Sequence, residues 1–308
     1  MLMKKIILFP LLLLALTCGF ASQAVAQTTV GATEAMGSLR IARDPVLLSM
    51  AGAGSAMTAS NQAWAAFGNP AAAAFSTKKL EASFSYAGWA PHYASAQNLA
   101  AGLSGHVNEK FALTLGFARQ GYPGLDFETA SAFKPSDLLI RAGVGVAFTE
   151  SLAVGLTAGY MKEALLSDYS LSAFSVSALA QYRVAGLSVV AGVEHLGGKV
   201  GDGYSLPSSV KLAAAYCLSF GESGLDVAMD GDYYFSGNYG VSLGLNGCIG
   251  GIGFLRAGYR FASPGAVIPS HLGLGAGVAL AGFNLDFTFL TASESLGGTW
   301  MVGLGYRF

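Results

Sequence analysis

Charge is scarce in this 308-residue chain: Asp, Glu, Lys and Arg together make up 11% of it, where about 25% is usual for a soluble domain. The formal net charge is -1, which excludes the basic surface that nucleic acid selects. Cysteine is equally sparse. Three residues cannot build a disulfide framework, and their spacing matches no zinc site. The four histidines, His92, His106, His195 and His271, are scattered, and no set of nucleophile, base and orienting group can be assembled around them. The chain therefore reads as a non-enzyme with no cofactor or metal. Missing too, after residue 26, is any run of the ~20 apolar residues that a membrane helix needs. Yet 53% of the residues are hydrophobic and the mean hydropathy is +0.50. A chain that is apolar overall and nowhere continuously apolar has the composition of a transmembrane β-barrel, in which lipid-facing and lumen-facing residues alternate.

The N-terminal residues carry an export signal. Lys4 and Lys5 precede a short apolar run, Ile6 to Leu16, and Ala24-Val25-Ala26 forms a small-x-small cleavage site. Residues 1–26 thus read as a signal peptide. Ala15-Leu16-Thr17 ahead of Cys18 is a poor lipobox. Beyond the cleavage site only Cys217 and Cys248 remain.

Period-2 alternation is the main structural signal. Phe283, Leu285, Phe287 and Phe289 alternate with Asn284, Asp286 and Thr288; Trp300, Val302, Leu304, Tyr306 and Phe308 alternate with Thr299, Gly303, Gly305 and Arg307. The polar face is mostly Gly, Ser, Ala and Thr, which suits a crowded lumen better than open water. The spacing predicts fourteen strands, at about 80–88, 96–107, 110–121, 137–148, 151–162, 170–183, 186–196, 208–218, 224–234, 238–248, 251–261, 271–281, 283–291 and 298–308. The even count matches a single-chain outer-membrane barrel. Every second connection is very short, such as Asn108-Glu109, Ala185 and Gly282. The others, 89–95, 122–136, 163–169, 197–207, 235–237, 262–270 and 292–297, are mostly longer. Short periplasmic turns and longer outer loops are the expected arrangement. Phe308, an aromatic closing the last strand, is the expected assembly signal.

By the same alternation Glu81, Glu194, Asp226, Asp230, Asp232 and Asp286 face inward with Arg141, Arg183, Lys211, Arg256, Arg260 and Arg307. A charge-selective pore would favour one sign. Balanced charges read instead as a network tying the wall to itself and to whatever fills it. The acidic trio on one strand needs no catalytic explanation, because period 2 alone produces its spacing.

Residues 39–75 resemble the N-terminal motif of FadL-like barrels of the PorV/PorQ type. The matching residues are Met50-Ala51-Gly52-Ala53-Gly54, then Ser60-Asn61-Gln62-Ala63, then Asn69-Pro70-Ala71. "SYAGWAP" at 85–91 and "LDFTFLTASESLGGTWMVGLGYRF" at 285–308 continue the likeness. Many members carry an Asp pair where this chain has Ser60 and Asn61, which removes any role tied to those charges.

The chain thus divides into a signal peptide at 1–26, an N-terminal segment at 27–79, which the resemblance implies plugs the lumen, and an all-β, fourteen-stranded antiparallel transmembrane barrel at 80–308. The resemblance also implies that Asn69 and Pro70 form a hinge between the plug's inner helix and the first strand. The implied function is docking or shuttling in the type IX protein secretion system, with translocon or attachment proteins as partners; the alternative is a FadL-like channel for small hydrophobic molecules. Apolar residues in the expected outer loops, Trp89, Tyr93, Tyr122, Phe127, Phe133, Leu165 and Tyr169, are the candidate docking contacts on either reading.

Overall fold

The computed structural model describes residues 34–58, 62–127 and 130–308, and of 125–127 and 130–132 the backbone alone. The signal peptide, Ser60, Asn61 and the Phe127 side chain lie outside the described residues. In chain order the strands are β1 (Leu80–Trp89), β2 (Ala96–His106), β3 (Phe111–Gly121), β4 (Leu125–Phe127), β5 (Ala130–Phe133), β6 (Ser136–Ala147), β7 (Leu152–Leu166) and β8 (Tyr169–Val184). There follow β9 (Leu187–Leu196), β10 (Ser209–Phe220), β11 (Ser223–Tyr234), β12 (Tyr239–Ile249), β13 (Gly253–Ala262), β14 (His271–Leu280), β15 (Phe283–Thr291) and β16 (Trp300–Arg307).

All but β4 and β5 join one closed antiparallel barrel of fourteen strands among the described residues. Each strand pairs with its neighbour in sequence, except that β3 pairs with β6 across the β4–β5 hairpin. Closure comes from β1 pairing with β16, with Glu81 opposite Arg307. Closure leaves no row of unpaired backbone groups, which lipid could not satisfy.

The side-chain pattern is inverted relative to a soluble protein. In β3, Leu113 and Leu115 are 53% and 54% exposed, while Ala112, Thr114 and Ala118 between them are buried. Leaving such side chains in water forfeits about 1.5–3 kcal/mol each. A whole wall of them is stable only against lipid. The protein is a transmembrane β-barrel.

The short connections are tight turns. Ala185-Gly186 (φ 49° and 85°) joins β8 to β9, and Ala281-Gly282 (φ 52° and 86°) joins β14 to β15. Two successive positive φ values give the turn whose twist matches that of the flanking strands. Two expected loops are in fact structured. Residues 122–136 contain the β4–β5 hairpin. Residues 163–169 are not a loop, because β7 and β8 run on beyond the expected span, pairing Leu166 with Tyr169 and leaving only Ser167 and Asp168 between them. Leu165 and Tyr169 therefore sit at the tip of a long hairpin.

One irregularity interrupts the wall. Val176 of β8 faces Leu196 of β9, but Ala178 faces Val193, so β9 carries one extra residue. His195 there has φ 56°, its N–H donates to Ser177 Oγ (3.1 Å) and its C=O accepts from Ser208 Oγ (2.7 Å). A bulge breaks strict alternation. Glu194 and His195 are consequently both buried.

Candidate functional site

The N-terminal segment lies against the inner wall. Its regular parts are brief: a 3-10 turn at Gly37–Arg40, helix α1 (Pro45–Ser49), a second 3-10 turn at Gln62–Phe67 and helix α2 (Pro70–Ala73). Both helices start alike. Asp44 caps α1, its Oδ1 accepting from Val46 N (2.8 Å). Asn69 caps α2, its Oδ1 accepting from Ala71 N (3.1 Å). A proline follows each cap, at the first helical position, where an N–H would have no partner anyway.

This corrects the expected place of Asn69 and Pro70. The pair begins a helical turn and does not lead directly into β1, which starts only at Leu80. Asn69 also ties two regions together, since its Nδ2 donates to Ser55 O (3.0 Å) and to Gln181 Oε1 (2.7 Å) on β8.

Most of this segment has no ladder partner, so side chains of the wall take up its backbone groups. Thr288 Oγ1 donates to Pro45 O (2.6 Å), Ser242 Oγ to Ala51 O (2.7 Å), Gln181 Nε2 to Ala56 O (2.8 Å) and Arg141 Nη1 to Phe67 O (3.0 Å). In the other direction Asp230 Oδ1 accepts from Gly54 N (2.7 Å), and Glu81 Oε2 accepts from Gln62 N (3.0 Å). Where backbone meets backbone, the wall has glycine. A Cβ on Gly258 would strike the main chain of Met50, and one on Gly145 would strike the carbonyl of Pro70.

Part of the expected network of inward charges is formed, in two clusters, while Arg141 instead donates to Phe67 O and Ser177 Oγ. Lys211 Nζ lies 2.7 Å from Asp232, 3.5 Å from Glu194 and 3.7 Å from Asp230. Arg260 pairs with Asp232 (3.3 Å) and Arg256 with Asp286 (2.7 Å). Arg40, from the N-terminal segment, pairs with Glu34 and stacks over the Tyr234 ring at 3.7 Å. Burial pushes the Asp44 carboxyl up to about 7; the Val46 N–H and nearby Arg256 pull it down, and Asp286 pushes it further up.

Cavities lie around the segment. One of about 120 Å³ lies toward the long connections, between Leu47, Ala51 and Gly52 of the segment and Glu194, Lys211 and Arg260 of the wall. Two others, of about 440 and 320 Å³, lie toward the short turns; Ala56 and Met57 line the first and Val46 the second.

The expected docking residues do not form one surface. Tyr93 is 83% exposed, and Leu165 and Tyr169 are also exposed. Trp89 is buried and lines the 120 Å³ cavity, because β1 carries its ring inward beneath the 90–95 connection. Tyr122 is half-buried, accepting from Gln120 Nε2 (2.7 Å) and donating to Asp137 Oδ2 (3.1 Å). Phe133 is half-buried too. Phe308 is exposed, with its N–H on Leu80 O (2.8 Å). Cys217 and Cys248 are free thiols near the turn end. Arg40, His195 and Tyr234, which sequence reasoning did not single out for this site, line the 120 Å³ cavity. The charged "LRIARD" stretch at 39–44 was the one visible signal for Arg40.

No protein-family model and no curated protein matches the chain. Solved structures do. The toluene transporter TodX of P. putida superposes with a TM-score of 0.61 at 13% identity, over 86% of this chain and 98% of that one. The toluene transporter TbuX of Ralstonia pickettii gives 0.58 at 12% identity, over 86% and 98%. A FadL homologue of Pseudomonas aeruginosa gives 0.52 at 13% identity, over 86% and 95%. At these identities the likeness is one of fold: the chain shares the barrel fold of these structures.

Proposed function

We propose that this protein is an outer-membrane channel for small hydrophobic molecules, exported by residues 1–26 and plugged by residues 27–79, with the barrel at 80–308 in contact with membrane lipid. The observation that carries the reading is the 120 Å³ cavity, where Ile41, Leu47, Leu48, Phe67, Trp89 and Ile268 gather apolar surface beside the charged Glu194, Lys211 and Arg260. Pockets for small ligands are built this way, apolar with a few placed polar groups. Barrels of the same fold include proteins described as toluene transporters, which supports the reading by analogy of fold. The test is entry of labelled toluene into cells with and without the chain. Slower entry without it is expected; equal entry in both strains removes the proposal.

The exposed Tyr93, Leu166 and Tyr169 favour a second reading, docking of secretion-system proteins on the loop rim. These residues lie on two connections, 90–95 and the tip of the β7–β8 hairpin, so a protein partner would span both. The matched structures described above are transporters and a FadL homologue, so this reading rests on the rim and on the N-terminal motif alone. Tyr93→Ser with Tyr169→Ser should abolish co-purification of a protein partner while barrel abundance stays normal. Partner recovery unchanged by both substitutions ends it.

A further inference from the structure

Charge on the barrel strands keeps to the lumen side, with two exceptions. Among the described residues of those strands, only Arg119 of β3 and Lys162 of β7 carry charge on the lipid-facing parity, and both are exposed. The other charged strand residues, from Glu81 on β1 to Arg307 on β16, share the inward parity. Both exceptions are basic, and they are neighbours. Arg119 lies opposite Leu138, and Leu138 lies opposite Lys162. Two strand spacings, about 10 Å, therefore separate them. Neither makes an ion pair among the described residues.

The rows below them set their level. Both residues stand near the long connections, since β3 ends at Gly121 and β7 at Leu166. One step toward the short turns, the outward row reads Phe117, Ile140, Tyr160 and Phe174, and the rings of the last two are 5.1 Å apart. An aromatic row of this kind marks the edge of the hydrocarbon band. The stems of Arg119 and Lys162 can rest on it while their charged ends reach the headgroups.

A further step down, the wall is indented. Ala142 lies opposite Ala158, and Ala158 opposite Val176. These residues border an apolar groove of about 410 Å³ together with Leu156 and Ala178. Ala158 is four residues below Lys162, a drop of about 13 Å along the strand. A pair of cations thus stands above an apolar groove on one face.

That combination selects among ligands. An acidic peptide or free phosphate would meet the cations and leave the groove unfilled. A neutral lipid would fill the groove and leave the cations without a counterion. A phosphorylated lipid uses both, with arginine suited to paired contacts with phosphate oxygens and lysine acting as a point charge. At the long-connection end of an outer-membrane barrel, the surrounding lipid is the phosphorylated glycolipid lipid A.

We infer that the outer face of β3, β6, β7 and β8 binds one lipid A molecule, its phosphates on Arg119 and Lys162 and an acyl chain in the groove at Ala158. The inference goes beyond the channel reading and holds whether or not the lumen conducts. It requires only that the long connections face outward.

The test is native mass spectrometry of the folded protein in detergent, titrated with lipid A, with dephosphorylated lipid A and with phosphatidylglycerol. The first lipid A is expected to bind roughly 10-fold more tightly than its dephosphorylated form, as two cations near a headgroup should supply, and more tightly than phosphatidylglycerol. Arg119→Gln with Lys162→Gln should bring the two forms of lipid A close to parity. Lys134→Gln with Lys199→Gln, exposed lysines of the connections, should leave the preference intact. Ala158→Trp, which fills the groove, should weaken both forms alike. Equal binding of the two forms by the wild type, a preference that survives loss of Arg119 and Lys162, or phosphatidylglycerol as the tighter ligand would each overturn the inference. Unaltered binding by Ala158→Trp would overturn the place given to the acyl chain. Heat-modifiable migration checks that each variant folds; should the double variant fail it, the wild-type comparison of the three lipids decides alone.

Discussion

The main chain of Met50 lies so close to Gly258 of β13 that no side-chain carbon fits between them. The contact joins the segment to the wall backbone to backbone, and any larger residue at 258 must move one of the two. Gly258→Val should leave the barrel folded, with its heat-modifiable migration intact, and loosen residues 45–58. Limited proteolysis and single-channel recording read this directly. Cleavage in that segment together with a new conductance is expected; a closed, protease-resistant variant would show that the segment does not block the lumen.

Lys211 lies within 4 Å of Glu194, Asp230 and Asp232, of which Asp232 is also held by Arg260. Removing one partner of a buried ion group leaves uncompensated charge and costs about 3–5 kcal/mol. Lys211→Met should lower the urea midpoint of barrel unfolding accordingly. Lys211→Met with Asp232→Asn should recover part of the loss. A midpoint equal to that of the wild type would mean the carboxylates are not held as a group.

The Asp44 carboxyl is pushed up to about 7 by burial, from an ordinary value of 3.8. A raised carboxyl favours folding where it is protonated. Its contribution is complete below the ordinary value and is lost as pH rises through about 7. The temperature at which the barrel unfolds in detergent should therefore fall by a few degrees between pH 5 and pH 8. Asn keeps the cap of α1 and cannot ionise, so Asp44→Asn should flatten that part of the profile. An unchanged slope in the variant would assign the pH dependence to other groups.

Cys217 and Cys248 are free and lie near the short turns. An exposed thiol reacts without prior reduction, so both should be alkylated in the native protein, Cys217 faster. If the short turns face the periplasm, a membrane-impermeant maleimide should spare Cys217 in whole cells and label it after osmotic shock, with Cys217→Ser as the control. Equal labelling in whole cells would reverse the assigned orientation.

Much of the wall was legible because its signal is local. Each strand shows its two faces within a few residues, and the expected strands fall within a few residues of those observed, β15 at 283–291 in both. Legibility failed where the cause is distant. The extra residue in β9 leaves no mark in "VEHL" at 193–196; it shows only in how β9 meets β8, and it turns His195 inward against its parity. The long β7–β8 hairpin was read as a loop because its tip, "EALLSDY", breaks alternation at the Leu165 irregularity. Trp89 was expected at the rim because an aromatic at a strand end does not reveal which way its ring turns.

The sequence by itself determined that this is a barrel: alternation, sparse charge and an even set of strands follow from the need to face lipid on one side and satisfy every backbone group within the wall. Only the tertiary structure decided what the lumen is. That Gly258 meets Met50, that Asp230 holds Gly54, and that Arg260 and His271 line one cavity with Leu47 and Gly52 depend on contacts between residues far apart in the chain. No periodicity encodes such contacts, because they arise when the closed wall and the inner segment pack together.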